Sequence, residues 1–285
     1  IMDGKKICDG AHLVATTTNA TYAAVVDSAV VERAGSSRAL IKICGSMSDG
    51  SRRWLPFTLR LYAYAANEQL RMVHSFIYDG DQDKDFISSL GLTFDVPLRK
   101  EAYNRHVMFA MDGDKMWHEP VQPLDGRSPL DRNYNWQERQ QAGFEIPAAS
   151  TFDERQQTFL SEWASWDGFR LSQLNDGSFT IRKKAQHDRP WIGTFTGCRS
   201  NGLAFVGDTE GGLALSLKDF WQQYPSTLQI SDARADKAQL TVYLWSPEAE
   251  PMDLRHYDTV AHGLISSYED VQQGMSTPYG IARTS

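Results

Sequence analysis

Apolar and polar residues alternate with a period of two over much of the chain. In residues 57–64 one face carries Phe57, Leu59, Leu61 and Ala63, and the other Thr58, Arg60, Tyr62 and Tyr64. That is the pattern of a half-buried antiparallel strand. Residues 239–245 alternate as cleanly, and 39–44, 70–77, 178–183 and 213–217 are further strand candidates. Asp79-Gly80, Asp112-Gly113, Asp125-Gly126 and Asp176-Gly177 punctuate these runs as turns. Short strands joined by turn dipeptides predict an all-β fold, a large antiparallel β-sandwich with short helical insertions. No βαβ rhythm and no fixed-length repeat is visible.

Two segments carry helical spacing instead. In 151–163, Phe152, Gln156, Phe159, Leu160 and Trp163 fall at i, i+4, i+7, i+8 and i+11, and Asp153 and Glu154 occupy the dipole-favoured first turn. In 216–224, Leu217, Phe220, Trp221 and Tyr224 share one helical face before Pro225 stops it. Residues 104–139 show weak periodicity and read as a long polar, aromatic loop region of the kind that often carries function.

Length and charge narrow the class. A chain of 285 residues fits one large sandwich domain or two small ones, and buries enough surface to fold without disulfides or metals. The formal charge of −7 gives no broad nucleic-acid footprint. No apolar run reaches the roughly 18–20 residues of a membrane helix. Cys8, Cys44 and Cys198 are widely spaced without a zinc pattern and read as reduced thiols, with one bridge plus one free thiol as the alternative. The 8 Trp, 11 Tyr and 13 Phe either fill wide inter-sheet layers or stack on sugar rings. Both ends read as interior to a longer polypeptide, so localisation is left unassigned.

Four groups of residues could carry chemistry. Asp79, Asp81, Asp83 and Asp85 alternate in an acidic loop that calcium could use, although Lys84 and Leu90 depart from an EF-hand pattern; a solvated acidic hairpin is the simpler reading, and no cofactor is expected. Arg105 and His106 open the run 107–110, and on a regular strand they point to opposite faces. Asp253, Leu254, Arg255, His256, Tyr257 and Asp258 place acids, Arg, His and Tyr just beyond a strand end. Lys218, Trp221 and Tyr224 sit on the second helical segment. Serine-hydrolase, nucleotide-binding and zinc-protease motifs are absent.

Several strings together resemble the exo-rhamnogalacturonan lyase (YetA-like) family. They include Trp54-Leu55-Pro56-Phe57, Phe76-Ile77-Tyr78-Asp79-Gly80-Asp81, Asn104-Arg105-His106-Val107, Trp163-Ala164-Ser165-Trp166, Gly202-Leu203-Ala204-Phe205-Val206-Gly207-Asp208, Lys218-Asp219-Phe220-Trp221 and Leu244-Trp245-Ser246-Pro247. The resemblance implies a parent with an N-terminal β-barrel, a central β-sandwich of the supersandwich type and a C-terminal α/α toroid. Residues 31–285 would be the central sandwich, and residues 1–30 either the end of the barrel or the first sandwich strands. It also implies β-elimination on rhamnogalacturonan, an acidic polysaccharide of pectin. Such a reaction needs a cation for the uronate carboxylate, a base for the C5 proton and an acid for the leaving oxygen.

On that basis Arg105, His106, Arg255 and His256 are the expected catalytic residues, with Arg for the carboxylate and His as proton carrier. Trp117, His118, Lys218, Trp221 and Tyr257 are the expected substrate-binding residues, and no metal ligand is expected. The expected partners are the polysaccharide and the barrel and toroid of the parent chain, with neither nucleic acid nor membrane. The competing expectation is a non-catalytic carbohydrate-binding or scaffold module that docks a catalytic toroid. A glycoside hydrolase would instead need two carboxyl groups about 5–9.5 Å apart.

Overall fold

A computed structural model describes residues 4–124, 135–255 and 278–285. The chain groups into two units, Ile1–His12 with Gly91–Ser246, and Leu13–Leu90 with Pro247–Ser285. Strands β1 (Gly10–Thr17) and β6 (Ile87–Pro97) contribute residues to both.

The first unit holds two sheets. The larger has the order β11-β10-β9-β14-β15-β6, from β9 (Gly168–Gln173), β10 (Phe179–Lys184), β11 (Ile192–Gly197), β14 (Ser226–Ser231) and β15 (Lys237–Trp245). The smaller has the order β13-β12-β7-β8, from β7 (Arg105–Ala110), β8 (Met116–Pro120), β12 (Leu203–Asp208) and β13 (Gly211–Ser216). Register explains the core. Ile181, Leu171, Leu228 and Val242 pair across the large sheet, and Phe169, Ile230 and Leu240 form the next row. Val107, Phe109, Ala204 and Val206 pair across the small sheet. All these residues are buried, and they form the apolar layer of a β-sandwich, about 10 Å thick in such packings. Trp117 of β8 touches Phe169 of β9, with ring centroids 6.1 Å apart.

The second unit has the order β6-β1-β2-β3-β4-β5-β16, built from β2 (Thr21–Ala34), β3 (Arg38–Ser48), β4 (Arg53–Tyr64), β5 (Leu70–Ile77) and β16 (Ala282–Thr284). The β2-β3-β4-β5-β16 neighbours run antiparallel. Trp54 is 1% exposed and meets Tyr22 and Tyr78 edge-on, so these aromatics fill core. Beside it β4 bulges: Trp54 pairs with Met47 and Phe57 with Gly45, leaving Leu55 and Pro56 opposite Ser46 alone. Leu55 takes the left-handed φ of 46°, and its N–H donates to Asp79 Oδ1 at 2.7 Å. A buried branched residue in that region is strained, and the carboxylate bond is what holds it there.

Every expected strand forms, and the described helices are short: α1 (Trp136–Gln141) and α2 (Glu154–Glu162). The expected helix at 151–163 is α2. Asp153 is its N-cap and makes a reciprocal capping box with Gln156. Two expectations fail. Residues 216–224 are not helical: after β13 the chain forms hydrogen-bonded turns, and Asp219 at φ 54° breaks any helix at its start. Leu217 and Phe220 are buried all the same, whereas Tyr224 is 46% exposed. Helical spacing and a double turn share the i, i+3 contact, which is why the pattern misled. Residues 104–139 are not one loop either, since they contain the β7–β8 hairpin and the start of α1. Both faces of β7 carry buried residues, which erases the period-two signal. Of the expected turns, Asp125-Gly126 lies outside the described residues.

Candidate functional site

The β7–β8 hairpin of the first unit brings together Arg105, His106, Trp117 and His118. Arg105 and His106 do face opposite ways. Arg105 points with Val107 and Phe109 into the sandwich, is 6% exposed, and spends its guanidinium on backbone. Nε donates to the Lys100 carbonyl at 2.6 Å, and Nη1 to the carbonyls of Ala233 and Ala235 at 3.0 and 2.6 Å. Those carbonyls sit in the β14–β15 turn, so Arg105 staples the small sheet to the large one. Trp117 also faces inward, against Phe109 and Phe169. These contacts make Trp117 a packing residue.

His106 and His118 lie on the other face of the small sheet. Their rings stack with centroids 5.1 Å apart, and His106 Nδ1 lies 2.9 Å from His118 Nε2. His106 is 6% exposed, and its Nε2 is buried with no hydrogen-bond partner among the described residues. His118 is half-buried. Burial pushes the His106 imidazole down to about 4, the neighbouring His118 adds to the fall, and the Asp208 carboxylate opposes it. Burial lowers His118 as well. Both rings are therefore neutral near pH 7, and a single N–H is shared between them. A neutral imidazole hydrogen-bonded at one nitrogen by a second ring keeps its other nitrogen to accept or deliver a proton, according to the tautomer.

Next on β8, Glu119 faces inward and forms an ion pair with Lys183 of β10. The Lys183 ammonium also lies 3.9 Å from the centre of the Trp166 ring. This pair bridges the sheets, and both side chains are more than four-fifths buried.

The other expected residues lie elsewhere. Lys218 is exposed on the turn after β13, with its ammonium 3.8 Å from Asp219. Trp221 is half-buried beneath the Arg199 guanidinium, 4.2 Å away. Arg255 belongs to the second unit, where it is bound to Asp253 at 2.6 Å and lies over Phe86. His256 and Tyr257 lie outside the described residues.

In the acidic loop the carboxylates turn toward protein donors. Asp85 takes both arms of Arg52 at 2.7 Å and the N–H of Asp81 at 2.6 Å. Asp79 caps the Leu55 N–H, and Asp81 binds Lys84 and the Asp83 N–H. Among the described residues no group of three or more His, Cys, Asp or Glu is arranged to hold a metal. All three cysteines are free thiols.

A polar concavity on the outer face of the large sheet was not legible beforehand. Arg170, Lys184 and Trp191 gather there from three separate stretches, with Arg170 4.4 Å and Lys184 4.9 Å from the Trp191 ring. The signal available was Arg170 and Arg182 at polar positions of alternating strands, which fits any solvated sheet face equally well.

The fold and hairpin define a β-sandwich domain that carries a neutral histidine pair. The chain belongs to the family of PcRGLX-like protein central beta sandwich domains, whose family model matches residues 2–285. It is similar to the uncharacterized protein YetA of Bacillus subtilis (strain 168), 33% identical over 300 residues, covering 99% of this chain and 34% of YetA. The chain thus spans about a third of the length of that curated relative.

Proposed function

We propose that this chain is the sandwich domain of a polysaccharide lyase that cleaves rhamnogalacturonan by β-elimination at galacturonate. Family membership supports the reading, and the neutral His106–His118 pair carries it. In the reaction a base removes the C5 proton, the electron pair forms the C4=C5 double bond, the C4–O bond breaks, and an acid protonates the departing oxygen. His118, the half-exposed ring, is assigned as the proton carrier. His106 is assigned as the positioning residue that hydrogen-bonds its Nε2 and orients the ring. Arg255 and His256 stay in the proposal as a second Arg–His pair, and helical and barrel domains of the parent as its partners.

Arg105 and Trp117 favour a second reading. Both are consumed by the fold, as expected of a non-catalytic carbohydrate-binding or scaffold module whose catalytic groups come from another domain. One assay tests the elimination chemistry, and the His118→Gln variant of the complete product then separates the two readings. The complete gene product and this 285-residue chain are each incubated with rhamnogalacturonan, and the ultraviolet absorbance of the unsaturated product is followed. The lyase reading expects absorbance from the complete product. New reducing ends without absorbance would make the protein a hydrolase.

A further inference from the structure

One face of the sheet formed by β2, β3, β4 and β5 in the second unit is basic. The cross-strand register sets Arg33, Leu40, Tyr62 and Arg71 in one row, and Val30, Lys42, Arg60 and Val73 in the next row on the same face. Arg38 stands one row further out, opposite Tyr64. Five cations therefore share one side of the sheet. Glu32, the bulge residue between Val31 and Arg33, lies 3.6 Å from Lys42 and 3.4 Å from Arg60. Arg33, Arg38 and Arg71 meet no carboxylate among the described residues. Asp27, farther along β2, is held by Arg53 at 2.6 Å, and Glu68 lies in the β4–β5 connection. Five cations against the single carboxylate of Glu32 leave a local positive excess on a chain whose net charge is −7.

We propose that this face is a docking surface for an acidic polysaccharide chain, distinct from the histidine pair of the first unit. That the polyanion is a polysaccharide rests on the lyase reading; the surface itself rests on its charges.

The arginines are placed before any ligand arrives. Arg38 and Arg71 flank Tyr62, with guanidinium carbons 5.9 and 5.7 Å from the ring centre. A cation against an aromatic ring keeps its charge, and a guanidinium keeps donors for a carboxylate. Strands lie about 4.8 Å apart and rise about 3.3 Å per residue, so the cations cover about 14 Å across the sheet and about 13 Å along it. That footprint suits several sugar residues rather than one small anion.

The neighbouring surface says what kind of polyanion fits. Cys44, Thr58 and Ser75 form the row after Lys42, Arg60 and Val73 on this face. They line a concavity of about 450 Å³. A polyuronate spaces its carboxylates among hydroxyl groups, which matches guanidiniums beside a hydroxyl-lined hollow. Single-stranded nucleic acid wants open aromatic platforms in a basic domain. Here Tyr62 is taken up by two arginines, and the chain as a whole is acidic.

The test is calorimetric titration of the complete gene product with polygalacturonate, with neutral galactan and charge-matched single-stranded DNA as controls. Polygalacturonate is expected to bind and galactan not. Its affinity should fall as ionic strength rises from about 0.01 to about 0.1 M, which shortens the screening length from about 30 to about 10 Å. The double variant Arg38→Gln/Arg71→Gln should lose roughly tenfold or more in affinity. A control of equal charge change, Arg155→Gln/Arg189→Gln at two exposed positions of the first unit, should stay within about twofold, because screening confines the effect of distant charges. Circular dichroism verifies that each variant is folded. The proposal is overturned by no binding of polygalacturonate, by equal binding of galactan, by unchanged affinity in the folded Arg38/Arg71 variant, or by an equal loss in the control variant. DNA binding as tight as polygalacturonate would overturn the assignment to a polysaccharide. Absence of unsaturated product would end the lyase reading and leave this comparison of polyuronate binding standing.

Discussion

His106 Nδ1 stands 2.9 Å from His118 Nε2 across the β7–β8 hairpin, with the two rings stacked. One imidazole is buried and the other half-buried, so the hairpin holds a neutral base backed by a second ring. This arrangement constrains both stability and chemistry.

Acid should unfold the domain through its buried histidines. Burial lowers His106 to about 4, and it lowers His74 to about 4 as well, with Arg283 adding to the fall. The unfolded chain titrates these groups near 6.5 and so binds more protons between the two values. Stability is therefore full above about pH 6.5 and declines as pH falls toward 4, by up to about 3 kcal/mol per histidine. Urea midpoints measured between pH 7.5 and 4 should fall, and His74→Leu should flatten the slope. A midpoint independent of pH would contradict the assignment.

The ion pairs should rank by burial. Asp85 is 9% exposed and accepts both arms of Arg52, whose guanidinium also lies 4.9 Å from the Trp54 ring. Arg52→Ala strands that carboxylate and should cost about 1–3 kcal/mol, allowing for the partial exposure of the arginine. Lys84→Ala removes only the exposed, solvent-screened pair with Asp81 and should leave stability almost unchanged. Thermal denaturation of both variants checks the order.

Much of the fold was legible from the sequence, because strands with one wet face keep a period of two. β4, β5 and β15 are examples. The exceptions have local causes. Asp219 in the left-handed region turned a helical spacing into a turn, and β7 lost its alternation because Arg105 and His106 are polar yet both buried. The histidine pair was half visible: His106 and His118 were both singled out, but their meeting depends on a register that places His118 opposite Met108. The inward turn of Arg105 toward the β14–β15 carbonyls had no signal at all, since its partners are backbone atoms far along the chain.

Buried amides anchor the segment around α1. Gln140 is 0% exposed, its Oε1 accepts from the Leu124 N–H at 2.9 Å, and its Nε2 donates to the carbonyls of Tyr103 and Gln122 at 2.7 and 3.0 Å. Gln140→Leu leaves three buried backbone groups unpaired. The expected loss is about 2–4 kcal/mol, read as a shift in urea midpoint.

Two glycines separate backbone strain from crowding. Gly202 has φ +70°, and a Cβ there would lie 2.1 Å from Phe220 Cβ, whereas Gly113 at φ +62° faces open space. Gly202→Ala should lose about 2–4 kcal/mol, and Gly113→Ala only about 1–2 from the left-handed backbone. Equal losses would show that the Phe220 contact is not tight.

The central claim is that His118 carries the proton, positioned by His106. It is tested most directly by the turnover of the complete gene product on rhamnogalacturonan, compared with His118→Gln and His106→Gln variants shown to be folded. The account predicts a loss of roughly 10²–10⁴ in kcat for His118→Gln, with a smaller loss and a shifted pH profile for His106→Gln. Wild-type rates and an unchanged pH profile in both folded variants would contradict it and place the proton carrier outside this hairpin.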